Sequence, residues 1–565
     1  MVIKSRWSYQ TPRVSLPTFI FDSPTAELPT TPAFISAREP DKHFLSLRDY
    51  RLWAQRIASG LRRSGLQPGD RVLLYSGNTL FFPCVIMGVI MAGGIFTGAN
   101  PTYVARELAY QLQDSGARYL ICAEGSLDTG LEAAKTVGLS ADNIFIFDDG
   151  VATFEGKTVE KDSPLGKIWH WTTLVDSAEA GQAFQWEDLK TDEELNRVIA
   201  LNYSSGTTGV AKGVMISHSN YVANCSQQIF ISAQHPNYAA QRAKQRMLCF
   251  LPMYHAMAQA IFCMNSVKQR VPVYMMAKFD FLEMLQCVQR FRITDLVLVP
   301  PVIVAMAKHP ATRKFDLSSV ERVGSGAAPL GREVCAELEK LWPDGSVNVK
   351  QGWGMTEATC AVTTFHPAAL SLSFSVGELA PNCEAKIVVD EEGLVEAPQG
   401  ERGEIWVKGP NVMRGYWKKP EATKETITAD GWLRTGDVAY VDQEKNFFIV
   451  DRKKELIKVK GLQVAPAELE ALLLDHPDVQ DAAVIGVTLD GEEYPRAYIV
   501  PQTPEKATPE VAENIKKWLA ERVSKAKRLE GGVRFIDAIP KNPSGKIMRR
   551  EIREKAKLED TKAKL

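Results

Sequence analysis

Leu-Asn-Tyr-Ser-Ser-Gly-Thr-Thr-Gly-Val-Ala-Lys-Gly, residues 201–213, is too rich in hydroxyls and glycine to be core. Glycines at 206, 209 and 213 free the backbone to turn N–H groups toward an anion. Ser204, Ser205, Thr207 and Thr208 add hydroxyl donors, and Lys212 adds positive charge. The pattern predicts a triphosphate cradle between a strand at 198–203 and a second apolar segment at 214–216. It departs from the Walker A motif, in which glycine directly precedes the lysine and Ser or Thr follows it. Here Lys212 stands between Ala211 and Gly213, which disfavours an ordinary P-loop kinase or ATPase. The alternative for the stretch in isolation is a flexible surface loop.

The chain has 565 residues, 67 basic against 68 acidic, and 45% apolar side chains. That length exceeds what one core usually holds, so two or more domains are expected. The balanced charge gives no support for nucleic-acid binding. The opening residues MVIKSRWSYQTPRVSLP contain no apolar segment of the kind a secretory signal needs. The nine cysteines show no paired spacing, so reduced thiols are expected, with no zinc or disulfide framework. Residues 80–96 are strongly apolar, but Pro83, Gly88, Gly93 and Gly94 break the run below the roughly 18 residues of a membrane span. They read as a buried helix running into a strand.

Short apolar runs at 72–75, 119–123, 144–147, 271–275 and 296–299 alternate with longer helix-like patterns, which argues for α/β layers. After Pro381 the texture changes: strands at 385–389, 403–408 and 447–450, punctuated by glycine, suggest a β-rich subdomain. The charged run Asp-Arg-Lys-Lys at 451–454 then interrupts the apolar pattern. The expected organisation is therefore α/β, with a large N-terminal domain over 1–451 made of α/β layers and a β-rich subdomain. A small α+β domain follows over 452–565.

Further blocks follow the glycine loop in order. They are Leu-Pro-Met-Tyr-His (251–255), Gly-Ser-Gly-Ala-Ala-Pro-Leu (324–330), Gln-Gly-Trp-Gly-Met-Thr-Glu (351–357), Gly-Glu-Ile (403–405) and Gly-Tyr-Trp (415–417). Then come Trp-Leu-Arg-Thr-Gly-Asp (432–437), Asp-Arg (451–452), Lys-Val-Lys-Gly (458–461) and Pro-Ser-Gly-Lys (543–546). Together they closely resemble the acyl- and aryl-CoA ligases of the adenylate-forming superfamily, most nearly its 4-coumarate-CoA ligase-like branch, over residues 70–550. The resemblance implies a chain that activates a carboxylic acid with ATP and Mg2+ and passes the acyl group to CoA.

Elementary chemistry fits that implication. A carboxylate is a poor electrophile because its leaving group would be oxide, and AMP provides a better one. Attack of a carboxylate oxygen on the α-phosphorus of ATP expels pyrophosphate, so the site must neutralise charge on the phosphates and hold them in line. By the resemblance, the nucleotide is held by Ser204, Ser205, Gly206, Thr207, Thr208, Gly209 and Lys212, and by the small side chains of Ala327 and Ala328. Gln351, Gly352, Trp353, Gly354, Met355 and Thr356 continue the wall, with Trp353 near the adenine and Thr356 donating to the α-phosphate. Asp437 accepts from ribose hydroxyls and Arg452 donates to the same sugar.

Glu357 supplies the hard carboxylate oxygen Mg2+ prefers, with Thr208 a second ligand. Read alone, the alternative for Glu357 is a helix-capping residue and for Asp437 a turn acid. Lys546 is implied as the adenylation lysine, reaching the site only if the small domain folds over the large one. Lys458, Lys460, Gly461 and Gln463 lie on the opposite face, implied to serve thioester formation after a rotation about Lys454. Alone, Lys546 reads as a solvated lysine.

His255 falls where the family gates the approach of carboxylate and thiol, a buried structural histidine being the alternative. The implied acyl pocket comprises Tyr254, His255, Ala258, Lys308, Gly326 and Gly352. The sequence departs from the plant enzymes at Thr359-Cys360-Ala361, where they carry Gly-Pro-Val, which alters the pocket wall. Ala211 replaces the usual proline before the loop lysine. Other readings are a stand-alone acyl-AMP ligase loading a carrier protein, a luciferase-like oxygenase, disfavoured because Tyr-His-Ala-Met at 254–257 lacks a His-His-Gly-Phe run, and a nucleotide-binding regulatory protein. The tripeptide Ala563-Lys564-Leu565 approximates the Ser-Lys-Leu peroxisomal address and predicts an import receptor as partner. A solvated basic tail is the alternative.

Overall fold

The computed structural model describes residues 2–148, 150–204, 211–390, 392–460, 462–489, 492–542 and 545–562. Of the loop residues above, Ser205, Gly206, Thr207, Thr208 and Gly209 lie outside these, as do Gly461, Pro543, Ser544 and residues 563–565.

The alternation of apolar runs and helices builds two layered sheets. In one, the strands Ile95–Ala99, Arg71–Tyr75, Ala117–Ala123, Ile144–Phe147 and Gly166–His170 run parallel in that spatial order beside Val198–Ser204. Antiparallel partners occur only at the rims, Lys212–Ser217 at one and Lys161–Ser163 at the other. All four residues of Ile144–Phe147 are buried, the composition expected of a strand covered on both faces. The second sheet runs Val349–Gln351, Arg322–Ser325, Asp295–Leu298, Met247–Cys249, Val273–Met275, Pro32–Ser36 and Phe44–Ser46, parallel except at its last pair.

The apolar run at 80–96 resolves as expected. The helix Phe82–Met91 is buried along its whole length, Gly93 turns the chain at φ 81°, and the strand Ile95–Ala99 follows. Among the described residues no helix is long and apolar enough to cross a membrane. All nine cysteines are free thiols.

The β-rich part is an antiparallel sheet of Ile3–Lys4, Glu384–Val388, Gly403–Lys408, Leu433–Val441 and Phe447–Arg452. Arg452 faces Asp437 in its last ladder. The strand therefore carries Arg452 into the large domain, one residue beyond the boundary expected at 451, and the chain leaves through the turn bearing Lys453 and the exposed Lys454.

Beyond that turn, the hairpin Ile457–Val459 with Leu462–Val464 and the sheet Val479–Leu489, Glu492–Pro501, Val533–Phe535 form the small domain. The helices Pro466–Leu473, Pro509–Ala520 and Arg549–Lys562 cover it. Leu469, Leu473, Val484, Ile499, Ile515 and Leu519 close a core of its own.

Candidate active site

Residues from both domains line a single cavity of about 2910 Å³. That is well above the roughly 300–1,000 Å³ of an ordinary small-molecule pocket, so it has room for a nucleotide and a second substrate together.

One wall grows from the glycine loop. Ser204 ends its strand opposite Lys212, and the loop's base is pinned by the Tyr110 hydroxyl donating to the Ala211 carbonyl at 2.9 Å and the Tyr203 hydroxyl donating to Asp114 at 2.8 Å. The rim strand Lys212–Ser217 is in turn bonded along 415–417: Met215 N–H donates to the Gly415 carbonyl and Trp417 N–H to the Gly213 carbonyl. This brings the Tyr416 ring beneath Lys212, whose ammonium stands 4.6 Å from the ring centroid. The Tyr416 hydroxyl donates to Glu357 Oε1 at 2.9 Å. Glu357 is 8% exposed, and Oε2 carries no hydrogen bond among the described residues.

A second wall is the backbone of 326–330 against 351–357. Ala327 holds φ at 75°, a conformation that costs a non-glycine residue and recurs at functional sites. The loop is clipped by Gln351, whose Oε1 accepts from Leu330 N–H at 3.1 Å while Nε2 donates to its carbonyl at 3.0 Å. A Cβ at Gly354 would lie 1.7 Å from the Cys360 carbonyl oxygen, so only glycine fits there.

Asp437 is 5% exposed and accepts from the Trp353 indole N–H at 2.8 Å. Arg452 Nε lies 3.4 Å from its other oxygen. Burial pushes the Asp437 carboxyl up, and Arg452, Trp353 and Lys546 oppose the shift. Lys546 reaches this place from the small domain. Its neighbour Gly545 packs so closely that a Cβ there would stand 3.1 Å from Pro301 and 3.2 Å from Val299. Burial, with Arg452 nearby, pushes the Lys546 ammonium down to about 8. Burial and Lys546 push His255 down to about 4, so the imidazole is neutral at pH 7, and its Nδ1 accepts from Met257 N–H at 3.3 Å.

The set thus offers a cation, a neutral imidazole, a paired acid and an available carboxylate around one cavity. Among the described residues no group of three or more His, Cys, Asp or Glu could hold a metal.

Comparison with known proteins agrees with this geometry. The family model described as AMP-binding enzyme matches residues 21–417, and that described as AMP-binding enzyme C-terminal domain matches residues 468–546. The chain belongs to the AMP-binding enzyme family. It is 36% identical to a phenylacetyl-CoA ligase of Aspergillus niger over 98% of this chain and 99% of that protein. It is 37% identical to a 4-coumarate-CoA ligase of Narcissus pseudonarcissus over 90% of this chain and 88% of that protein. Among solved structures, ATP-bound MatB from Rhodopseudomonas palustris is similar at TM-score 0.79 and 26% identity, covering 96% of this chain and 98% of that one. An anthranilate CoA ligase holding anthranoyl-AMP shares the fold at TM-score 0.81 and 22% identity, over 97% of this chain and 99% of that one.

Within this AMP-binding enzyme most of the expected residues converge. Ser204, Lys212, Gly326, Ala327, Ala328, Gly352, Gly354, Met355, Thr356, Glu357, Tyr254, His255, Asp437, Arg452 and Lys546 all line the cavity. Gln351, Trp353, Lys308 and Lys458 line it as well, and one residue of the expected acyl pocket is placed otherwise. Ala258 is 1% exposed and belongs to the core, and its neighbours Met257 and Ile261 meet the cavity instead. Lys308 lines the cavity while its ammonium donates to the main-chain carbonyls of Leu474 and Val479 in the small domain. The Gln351 amide is spent on Leu330, and the Trp353 N–H on Asp437.

Lys458, Lys460 and Gln463 are exposed on the small-domain hairpin. Lys460 sits at its tip with φ 47°, and Lys458 N–H donates to Glu493 Oε2 at 2.7 Å. Lys546, not Lys458, is the lysine whose charge acts on Asp437 and His255. Tyr416 was not anticipated as a site residue, although the Gly-Tyr-Trp block that carries it was visible. The missing signal is its pairing with Glu357, 59 positions away.

Proposed function

We propose that this AMP-binding enzyme is an ATP-dependent acid-CoA ligase acting on an aryl or medium-chain carboxylic acid. A carboxylate oxygen bonds to the α-phosphorus while the bond from that phosphorus to the β-bridging oxygen breaks, releasing pyrophosphate. The CoA sulfur then bonds to the acyl carbon, AMP leaves with the electron pair of its C–O bond, and the thiol proton passes to solvent.

The observation that carries this reading is Lys546, delivered by the small domain into the cavity beside Asp437, Arg452 and His255. An ammonium there offsets the charge that grows as carboxylate meets phosphate. The neutral His255 adds no repulsion. Asp437, oriented by Trp353 and Arg452, accepts from the ribose, and Lys212 with the glycine loop holds the departing phosphates. Glu357 and Thr208 would hold Mg2+, which when bound neutralises phosphate charge. Tyr416 fixes the Glu357 carboxylate for that task. Lys458 serves the second half-reaction once the small domain has turned about Lys454.

Relatives that act on phenylacetate and 4-coumarate support an aryl acid, and the apolar Met257 and Ile261 with Gly326 and Gly352 leave space for one. The test is product analysis with ATP, CoA and a panel of phenylacetates, cinnamates, benzoates and C6 to C12 fatty acids. AMP, pyrophosphate and thioester are expected, and ADP with phosphate would reject the reading. The same screen with a phosphopantetheinylated carrier in place of CoA tests the acceptor. On location, the reading is peroxisomal import through Ala563-Lys564-Leu565. A fluorescent fusion at the opposite end of the full chain tests it, with punctate signal lost on Leu565→Asp expected and diffuse signal from the unaltered chain refuting it.

A further inference from the structure

Lys308 ends the helix Pro300–Lys308 of the large domain, and the small domain is seated on both ends of that helix. At the N-terminal end Gly545 packs on Val299 and Pro301, one residue from Lys546. At the other, the Lys308 ammonium donates to the Leu474 carbonyl at 2.6 Å and the Val479 carbonyl at 3.1 Å.

Both carbonyls need an outside donor. Leu474 caps the C-terminus of the helix Pro466–Leu473, where carbonyls lack intrahelical partners and the helix dipole favours a cation. Val479 opposes Pro501 as a non-hydrogen-bonded pair, because Gln502 N–H donates to the Asp478 carbonyl, and its strand is the sheet edge, so its own carbonyl points away from the ladder. Lys308 thus bridges a helix end and a strand start of the other domain, about one helix length from the reacting lysine.

We propose that Lys308 is a positioning residue for acyl-AMP formation: its bonds to Leu474 and Val479 latch the small domain in the orientation that seats Lys546, and they must open for the thioester step. The proposal rests on the two-step ligase reading above. It gives Lys308 a role in domain orientation and none in holding the acid.

The experiment measures the two half-reactions separately in the full chain, with phenylacetate as probe acid: acyl-AMP formation by pyrophosphate exchange, and thioester formation from presynthesised phenylacetyl-AMP and CoA. Lys308→Met keeps the stem and removes the donors. It is expected to slow pyrophosphate exchange about tenfold or more, the scale of a lost charged hydrogen bond. The phenylacetate KM stays unchanged and the thioester step is as fast as in the unaltered chain or faster, while Lys308→Arg, which can still donate, recovers most of the exchange rate. An unchanged exchange rate, an equal loss in both half-reactions, or a raised acid KM would each overturn the latch.

Amine labelling of the unaltered chain, read by mass spectrometry, needs no variant to fold. Lys308 is expected to react several-fold more slowly with ATP bound than with a phenylacetyl-AMP analogue and CoA bound, and equal reactivity would overturn the proposal. If the unaltered chain makes no acyl-AMP from any acid of the panel, the ligase reading itself fails and the latch with it. Acyl-AMP formation that Lys308→Met leaves intact removes the latch alone.

Discussion

Replacing Lys546 by methionine removes a buried cation while keeping most of the side chain's volume. The cation stands beside Asp437, Arg452 and His255, in surroundings that hold it down to about 8. A preorganised donor aimed at developing charge contributes about 10²–10³ in rate, so Lys546→Met is expected to slow acyl-AMP formation by that factor. The thioester step, supplied with presynthesised acyl-AMP, should run within about twofold of the unaltered rate.

The pH dependence supplies an independent check. Because kcat/KM reports ionisations of the free enzyme, kcat/KM for ATP should fall as pH rises through about 8, where Lys546 loses its proton, and this limb should vanish in Lys546→Met. Stability moves the other way. A lysine whose folded pKa lies below its unfolded value binds fewer protons in the native state between the two, so stability rises with pH across the window from about 8 to 10.5. The burial penalty is fully present below pH 8, and Lys546→Met should melt no lower than the unaltered chain at pH 7. Pyrophosphate exchange, stopped-flow thioester formation and thermal melts suffice. Equal loss in both half-reactions, or a clear drop in Tm, would show that Lys546 holds structure and refute the assignment.

Three further outcomes follow from single contacts. Tyr416→Phe leaves Glu357 without its hydroxyl donor, and acyl-AMP formation titrated against Mg2+ should need about tenfold more cation for half-saturation, the scale of one hydrogen bond to a charged group. An unchanged titration would separate Glu357 from the metal. Trp353→Phe removes the N–H that Asp437 accepts, and is expected to raise the KM for ATP about tenfold while leaving the acid KM alone. Gly354→Ala places a methyl where the Cys360 carbonyl already lies, and a loss of about 3 kcal/mol or more by denaturant unfolding is expected. A variant of normal stability would mean that the 354–360 turn is compliant.

The fold was readable where apolar runs and glycine breaks carried the information. The stretch at 80–96 and the strand Ile144–Phe147 became the elements expected, because local hydrophobicity and turn chemistry decide them. What escaped the sequence depends on partners far along the chain. Ala258 lies on the core side of a turn whose cavity side is Met257 and Ile261, a phase that spacing alone does not give. Lys308 lines the cavity, but the carbonyls its ammonium meets belong to the other domain, 166 and 171 positions away. Arg452 sat among charges that read as a linker, but its ladder register with Asp437 makes it the end of a strand. Tyr416 and Gln351 were visible as members of glycine-aromatic blocks, yet their work, fixing Glu357 and clipping Leu330, is legible only in three dimensions.

The central claim is that the acid becomes an acyl-AMP inside this cavity, and isotope transfer tests it most directly. Phenylacetate labelled with oxygen-18 in its carboxylate, turned over with ATP and CoA, should leave one labelled oxygen on the phosphate of AMP, since the bridging oxygen of the adenylate departs with AMP when sulfur takes the acyl carbon. Label recovered in inorganic phosphate, with ADP as the nucleotide product, would mean that the acid was activated at the γ-phosphorus and would contradict the account.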